Sequence, residues 1–292
     1  MPTLDEGYFP PGSMLRFVQS HRAVGHTYGQ RALIIGATHP VPYTGTSAHS
    51  DAKSRPFERL ARTAKAFETI YFGTRREADR VLNAVGHMHQ RVNGSLPQRE
   101  GTFAAGTTYD AFDPDLMLWT LAMLADSSRV AFETLVRRLS RDEAEELWLD
   151  WLRFGELFGM PRSAAPADAQ GLSDFMADWY RGGRMHLTDE AKVVGRAIAT
   201  DMPVPPLMSP GIRATNLVVC GMLPQPVRDL YRLRWTPAHE VAFQVACVTV
   251  RQSRPVVPRA IRRGDNARLH DLVIATERRR ISAGHATMQL PA

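Results

Sequence analysis

SRPFERLARTAKAFETIYFG (residues 54–73), followed by EADRVLNAVGHMHQRVNG (77–94), is the stretch that decides the fold class. In the first segment Phe57, Leu60, Ala61, Ala64, Phe67 and Tyr71 recur at helical spacing, with Pro56 near the start and Gly73 at the end. That pattern is an amphipathic helix with its proline in the first turn, where no amide donor is lost. In the second segment Val81, Val85, Met88 and Val92 mark one apolar helix face. His89 lies four after Val85 and three before Val92, so it falls on that face. His87 sits four from Asn83 and four from Arg91, on the polar face. Positions two apart on a helix point about 200° apart, so the pair cannot aim both imidazoles at one ion. An imidazole on an apolar face needs a partner, because an unpaired buried polar group costs roughly 1–3 kcal/mol. A metal is one such partner and a backbone carbonyl is the commoner one.

Outward from this pair the chain reads as helices joined by short loops. Residues 1–20, with Pro2, Pro10 and Pro11, read as an irregular arm. Helix signals begin near Gly29-Gln30 and run through RALIIGA to His39-Pro40, where proline stops them. VPYTGTSAHSDAKS (41–54), which contains His49, reads as a small-residue loop, and 95–110 as another. Asp113-Pro114-Asp115 supplies a helix cap, a first-turn proline and an acid suited to the helix dipole. The helix it opens carries Trp119, and its run from Leu116 to Ala125 is apolar apart from Thr120, as a central buried helix requires. Ser140 and Glu143 form a capping box ahead of AEELWLDWLRFGELFG. Further helices are expected at 171–181, 188–200 and 226–232, and a last long one from Thr236-Pro237 through VAFQVACVTV into Arg251. No repeated strand alternation and no Asn-Gly or Asp-Gly hairpin between apolar runs is present. The expectation is an all-α protein with one large helical domain over 28–250, an arm at 1–27 and an arginine-rich C-terminal extension at 251–292.

Composition narrows the function classes. The chain has 292 residues, 44% of them hydrophobic, which is enough for a sizeable core. No apolar run reaches the roughly 18–20 residues that span a bilayer, and MPTLDEGYFPPG has acids where a signal peptide would be basic and then apolar. Two isolated cysteines, Cys220 and Cys247, exclude a disulfide scaffold and a thiolate metal site, and a reducing cytoplasm fits them. The net charge is +6, and nine arginines fall between Arg251 and Arg280. A nucleic-acid or anionic-lipid surface is one reading of that tail. No aromatic residue interleaves with those arginines, so a base-stacking platform has no support and a solvated tail is the preferred reading, with no nucleic-acid partner expected. Phosphate-cradling, dinucleotide, zincin, C-x-x-C and nucleophile-elbow motifs are all absent.

Taken in order, ALIIGATHPVPYTGTSAHS (32–50), RPFERLARTAKAFETIYFG (55–73), VGHMHQRVNG (85–94), TTYDAFDPDLMLWTL (107–121) and NLVVCGMLPQPVRDLYRLRWTP (216–237) resemble one family. It is the family of rubber oxygenases, which contains latex clearing protein, and of MpaB-type oxygenases. The resemblance spans roughly residues 28–240 and rests on the combination of an R-x-x-x-T helix, an H-x-x-V-x-G helix and a Y-x-A-x-D-P turn. It implies a globin-like helical core around a haem pocket, with a b-type haem whose iron is held by one histidine, and O2 as co-substrate. Residue by residue, His89 matches the axial ligand, and Arg59 and Thr63 match the pair at the haem site. His39 and His49 match recurrent positions of unassigned role, whereas Tyr109, Asp113 and Trp119 match structural ones.

The chemistry is consistent with that assignment. A neutral imidazole is what an axial position needs, and residues four apart such as Arg59 and Thr63 share a helix face. A guanidinium can hydrogen-bond a haem propionate or the oxygen co-substrate, and Thr63 can orient either. Outside the family context, Arg59 reads as a surface charge and Thr63 as a hydroxyl bonded back to its own helix. Three positions depart from the rubber oxygenases. Tyr43 stands near the place of an upstream acid, with Asp51 the nearest carboxylate; Arg62 replaces a lysine; and Trp119-Thr120-Leu121 replaces W-V-H. These departures argue against polyisoprene and for a smaller or different apolar substrate, unsaturated or terpenoid. A non-enzymatic haem- or lipophile-binding helical protein is the alternative function.

Overall fold

The computed structural model describes residues 6–49 and 55–285. The described residues form fourteen α-helices and a single two-stranded sheet. The helices that build the centre are α1 (Met14–Gln19), α2 (Arg22–Gly36), α3 (Pro40–Ala48), α4 (Pro56–Phe72), α5 (Arg75–His89), α6 (Pro114–Leu135) and α7 (Arg141–Leu157). They are followed by α8 (Ala169–Arg181), α9 (Asp189–Thr200), α10 (Ser209–Met222), α11 (Gln225–Leu230), α12 (Pro237–Ser253), α13 (Arg259–Arg262) and α14 (Ala267–Ser282). Among the described residues no helix is long and apolar enough to cross a membrane.

The helix of Trp119 is central, as its composition requires. In α6, Leu118, Trp119, Leu121, Ala122, Leu124 and Ala125 are all buried, and its most extensive packing partner is α2. Asp113 caps it, accepting from the amides of Asp115 (2.9 Å) and Leu116 (3.3 Å). Inside the α2–α6 interface Arg31 meets Asp126 at 2.8 Å and donates to the Ser127 hydroxyl, while its Nε donates to the carbonyl of Met222 on α10. Burial alone would raise the Asp126 carboxyl, but Arg31 and Arg129 outweigh it and hold the group below the usual carboxylate range. The core therefore contains one charge-compensated polar knot that ties three helices together.

Several local expectations are corrected. The stretch read as an irregular arm contains α1, capped by the Ser13 hydroxyl, and α2 starts at Arg22 rather than near Gly29. Residues 40–48 form α3 instead of a loop, with its first proline at a position that tolerates proline. The 95–110 loop is closed at both ends by an antiparallel pair, β1 (Asn93–Ser95) with β2 (Thr108–Asp110). This pair presents the Tyr109 ring between two glycines. A Cβ on Gly45 would lie 2.9 Å from that ring, and one on Gly94 would lie 2.7 Å from its hydroxyl. The arginine-rich segment is also helical. Here α14 packs along α4, and the buried Glu277 accepts from the amides of Phe57 and Glu58, two N-terminal donors for which α4 has no cap of its own.

Candidate functional site

The candidate residues lie on α3, α4 and α5, held from behind by α9 and by the β1–β2 pair. Helix α5 is started by a capping box between Thr74 and Glu77. Its apolar stripe is only partly covered: Ala78 is its one fully buried residue, Val81 and Val85 are half-buried, and Met88 is 51% exposed. Periodicity placed Val81, Val85 and His89 on the more buried side of α5, but Met88 is exposed and the helix ends at His89, before Val92. His89 is half-buried and His87 exposed, in the order their phases predict. The His89 Nδ1 is buried with no hydrogen-bond partner among the described residues, and the ring packs edge-on against Phe112, centroids 6.1 Å apart. Burial pulls its pKa below the ordinary histidine value, so the ring is neutral at pH 7 and keeps a lone pair.

Arg59, on α4, is half-buried, and among the described residues no carboxylate pairs with it. Burial lowers its pKa and the neighbouring Tyr43 opposes that shift. Tyr43, on α3, donates its hydroxyl hydrogen to Glu190 on α9 at 3.4 Å, and the Ser47 hydroxyl donates to the same oxygen. Burial first, and the Glu190 charge second, push the Tyr43 phenol above its usual range, so it remains a proton donor. Three helices thus place a desolvated cation, a phenol and a carboxylate side by side. The sequence reading noted Tyr43 only as standing near the place of an upstream acid and did not single out Glu190, an acid in the first turn of α9. Asp51, the other candidate acid, lies outside the described residues.

Thr63 is on the same helix as Arg59 but exposed, and none of the described hydrogen bonds uses its hydroxyl. Arg62, in the place of a lysine, is drawn to Glu58, which Arg278 of α14 also grips. His49 donates through Nδ1 to the Gly45 carbonyl (3.0 Å) and stands edge-on to Tyr109. A cleft of about 330 Å³ joins His49 to His87, Met88 and Arg91, so the open space beside α5 lies on the His87 side. His39 caps α3 inside an aromatic box: its ring stacks on Phe103 at 4.9 Å and on Trp179 at 4.7 Å, with Trp119 at 5.8 Å. Burial, and secondarily Arg184, lower its pKa to about 4, and its Nδ1 has no hydrogen-bond partner among the described residues. Trp119 and Tyr109 are buried and structural, as expected; the Trp119 indole donates to the Gly36 carbonyl.

Among the described residues no cluster of three or more histidine, cysteine or carboxylate side chains could hold a bare metal ion. Axial ligation of a haem iron requires one imidazole and sets no such demand. The orphaned, neutral His89 and the carboxylate-free Arg59 fit such a group: one offers a lone pair, the other a cation for a propionate.

Residues 16–252 match the family described as ER-bound oxygenase mpaB/B'/Rubber oxygenase, catalytic domain. The chain belongs to this family of oxygenase catalytic domains, and the match reaches beyond the 28–240 seen by motif, taking in α1 and nearly all of α12. Two mycobacterial proteins, both uncharacterized, one from Mycobacterium bovis and one from Mycobacterium tuberculosis, are each 24% identical to it over 205 residues, covering 70% of this chain and 76% of theirs. No solved structure matches the chain.

Proposed function

We propose that this chain is a haem-b-dependent oxygenase that acts with O2 on an apolar, unsaturated or terpenoid molecule, with a globin-like arrangement of helices around the cofactor. The observation that carries the proposal is His89: a neutral imidazole on an apolar helix face, with one buried nitrogen that has no hydrogen-bond partner among the described residues. Haem, when bound, supplies the iron that activates oxygen, chemistry no side chain here can perform.

The chain's own residues bind, orient and protect. His89 would hold the haem iron through an imidazole that burial keeps unprotonated. Arg59 neutralises an anionic group brought to α4, and its desolvation strengthens that interaction by lowering the local dielectric. Thr63, one turn along the same face, offers a hydroxyl that can follow whatever Arg59 holds. Tyr43 keeps its hydroxyl hydrogen aimed at Glu190, so a proton is held next to Arg59 on a group that does not ionise at neutral pH.

The deciding experiment is an absorbance spectrum of the purified protein after haem reconstitution, oxidised and dithionite-reduced, alongside His89→Ala and His87→Ala. A Soret band that survives in His87→Ala and disappears in His89→Ala supports the proposal. A band unchanged in His89→Ala would overturn the ligand, and a band lost only in His87→Ala would move it to the cleft side of α5. Oxygen uptake by the reduced protein with unsaturated lipids then separates an oxygenase from a carrier, which would bind O2 or autoxidise without consuming substrate.

A further inference from the structure

The opposite end of α2 carries a second cleft, of about 380 Å³, between the start of α2, the end of α6 and the segment that follows α12. Helix α2 spans about 20 Å between this end and the His39 end, at about 1.5 Å per residue, so the cleft is remote from α3. Its polar lining comes from Arg22, Arg254, Arg262, His21 and His26 with Ser253, and no carboxylate among the described residues lines it. Its other wall is aliphatic, made by Leu135, Val136, Val250 and Val257.

The basic groups here are organised rather than merely crowded. Arg254 donates to the carbonyl of Val136 (3.2 Å) and lies 3.2 Å from the Nε2 of His21. A guanidinium can only donate, so that Nε2 is an acceptor, and the His21 Nδ1 carries the hydrogen that goes to the Phe17 carbonyl (3.0 Å). His21 is therefore a neutral prop that orients Arg254. Among the described residues Arg22 uses its Nε alone, on the Arg263 carbonyl (3.0 Å). The Nε of Arg262 and the Nδ1 of His26 are buried without a hydrogen-bond partner among the described residues. Electrostatics agree: burial first, and then arginine neighbours, lower the pKa of His21 to about 3, while Arg254 and Arg263 are lowered by burial and by other arginines, with no acid to compensate.

We infer that this cleft is a binding site for a phosphate monoester of an apolar alcohol, its headgroup held by Arg22, Arg254 and Arg262 and its chain laid against the valine wall. A dianionic, tetrahedral headgroup suits three guanidiniums better than a carboxylate, which has one charge and two oxygens to share among them. The aliphatic wall gives the alcohol portion a place that inorganic phosphate would leave unfilled, and the cleft volume lies in the range of small-molecule sites.

The test is calorimetric titration of the full-length protein at pH 7.5 with octyl phosphate, inorganic phosphate and octanol, repeated on Arg262→Gln and Arg254→Gln. Expected are saturable one-to-one binding of octyl phosphate, at least tenfold weaker binding of inorganic phosphate, none of octanol, and at least a tenfold loss in either variant. Arg262→Gln removes no hydrogen bond seen in the structure, so a circular dichroism spectrum and melting temperature like those of the parent protein keep it interpretable if Arg254→Gln is destabilised. Absence of octyl phosphate binding, or binding indifferent to Arg262→Gln, overturns the site. Equal affinity for inorganic and octyl phosphate overturns the apolar part of the ligand and leaves a plain phosphate site. None of these outcomes depends on whether haem binds at His89.

Discussion

Arg59 and Arg31 are both buried to a degree unusual for arginine, and their surroundings predict opposite consequences of removing them. Arg31 faces Asp126 at 2.8 Å with both side chains almost wholly buried. Deleting one partner of such a pair leaves the other under-compensated, at a cost of up to about 3–5 kcal/mol. Arg129, 2.9 Å from Asp126, reduces that cost when Arg31 is the partner lost. Arg31→Met should therefore lower the urea midpoint steeply, whereas the double change with Asp126→Leu should restore most of the loss; equal effects of the single and double variants would show the pair is not coupled. Among the described residues Arg59 has no such partner, so removing it relieves desolvation and strands no described carboxylate. Arg59→Met should leave the melting temperature level or raised while haem retention or substrate-dependent oxygen uptake falls at least tenfold, the pattern of a residue kept for function at the expense of stability. A fall in melting temperature with unchanged haem affinity would instead make Arg59 a structural residue.

Among the elements, legibility followed how much of each helix's reason for existing lies within its own sequence. Helices α6, α7 and α12 carry their own caps and α4 its first-turn proline, each with an apolar stripe, and all four are readable in sequence. The Thr74–Glu77 capping box of α5 was an available signal that went unused. By contrast α3, with two prolines, a glycine and three hydroxyl residues, has little intrinsic propensity; it is held by Val41 and Gly45 packing on Leu96 and Tyr109. The candidate site divides in the same way. His89, Arg59 and Thr63 come from consecutive helices and were found through motif and resemblance, but the approach of Glu190 to Tyr43 joins positions 147 residues apart and leaves no local trace. Helix α4 depends likewise on a distant element, since its first amides are capped by Glu277 from α14. Glu277→Leu should cost roughly 1–3 kcal/mol by leaving buried donors unsatisfied. Faster hydrogen exchange confined to the first turn of α4 would be its signature, and unchanged protection of Phe57 and Glu58 would show that the cap contributes nothing.

For the molecule as a whole, buried imidazoles set the response to acid. His21 is lowered to about 3, chiefly by burial and then by Arg263 and Arg254. His26 is lowered to about 4 by burial, then by His270 and Arg22, and His39 to about 4 by burial, then by Arg184. In the unfolded chain each would take up a proton near its ordinary value of 6.5, whereas in the folded protein each stays neutral down to about 4 or below. The unfolded state therefore binds more protons than the folded one across that interval, and stability must rise with pH there, or equivalently drain away as pH falls from about 6.5 toward 4. Each imidazole contributes at most about 1.4 kcal/mol per pH unit within its window. Asp126 acts in a lower and separate window: its carboxyl is depressed in the fold, so its contribution persists at pH 4 and is lost only as pH drops through its folded value. Unfolding free energies measured from pH 8 to 4 should accordingly be flat above 7 and fall below 6.5. His39→Phe, which keeps the stack between Phe103 and Trp179, should flatten the acid limb by one proton's worth of slope. An unaltered slope in that variant would mean that His39 already titrates in the folded protein, and that its aromatic box is open to water.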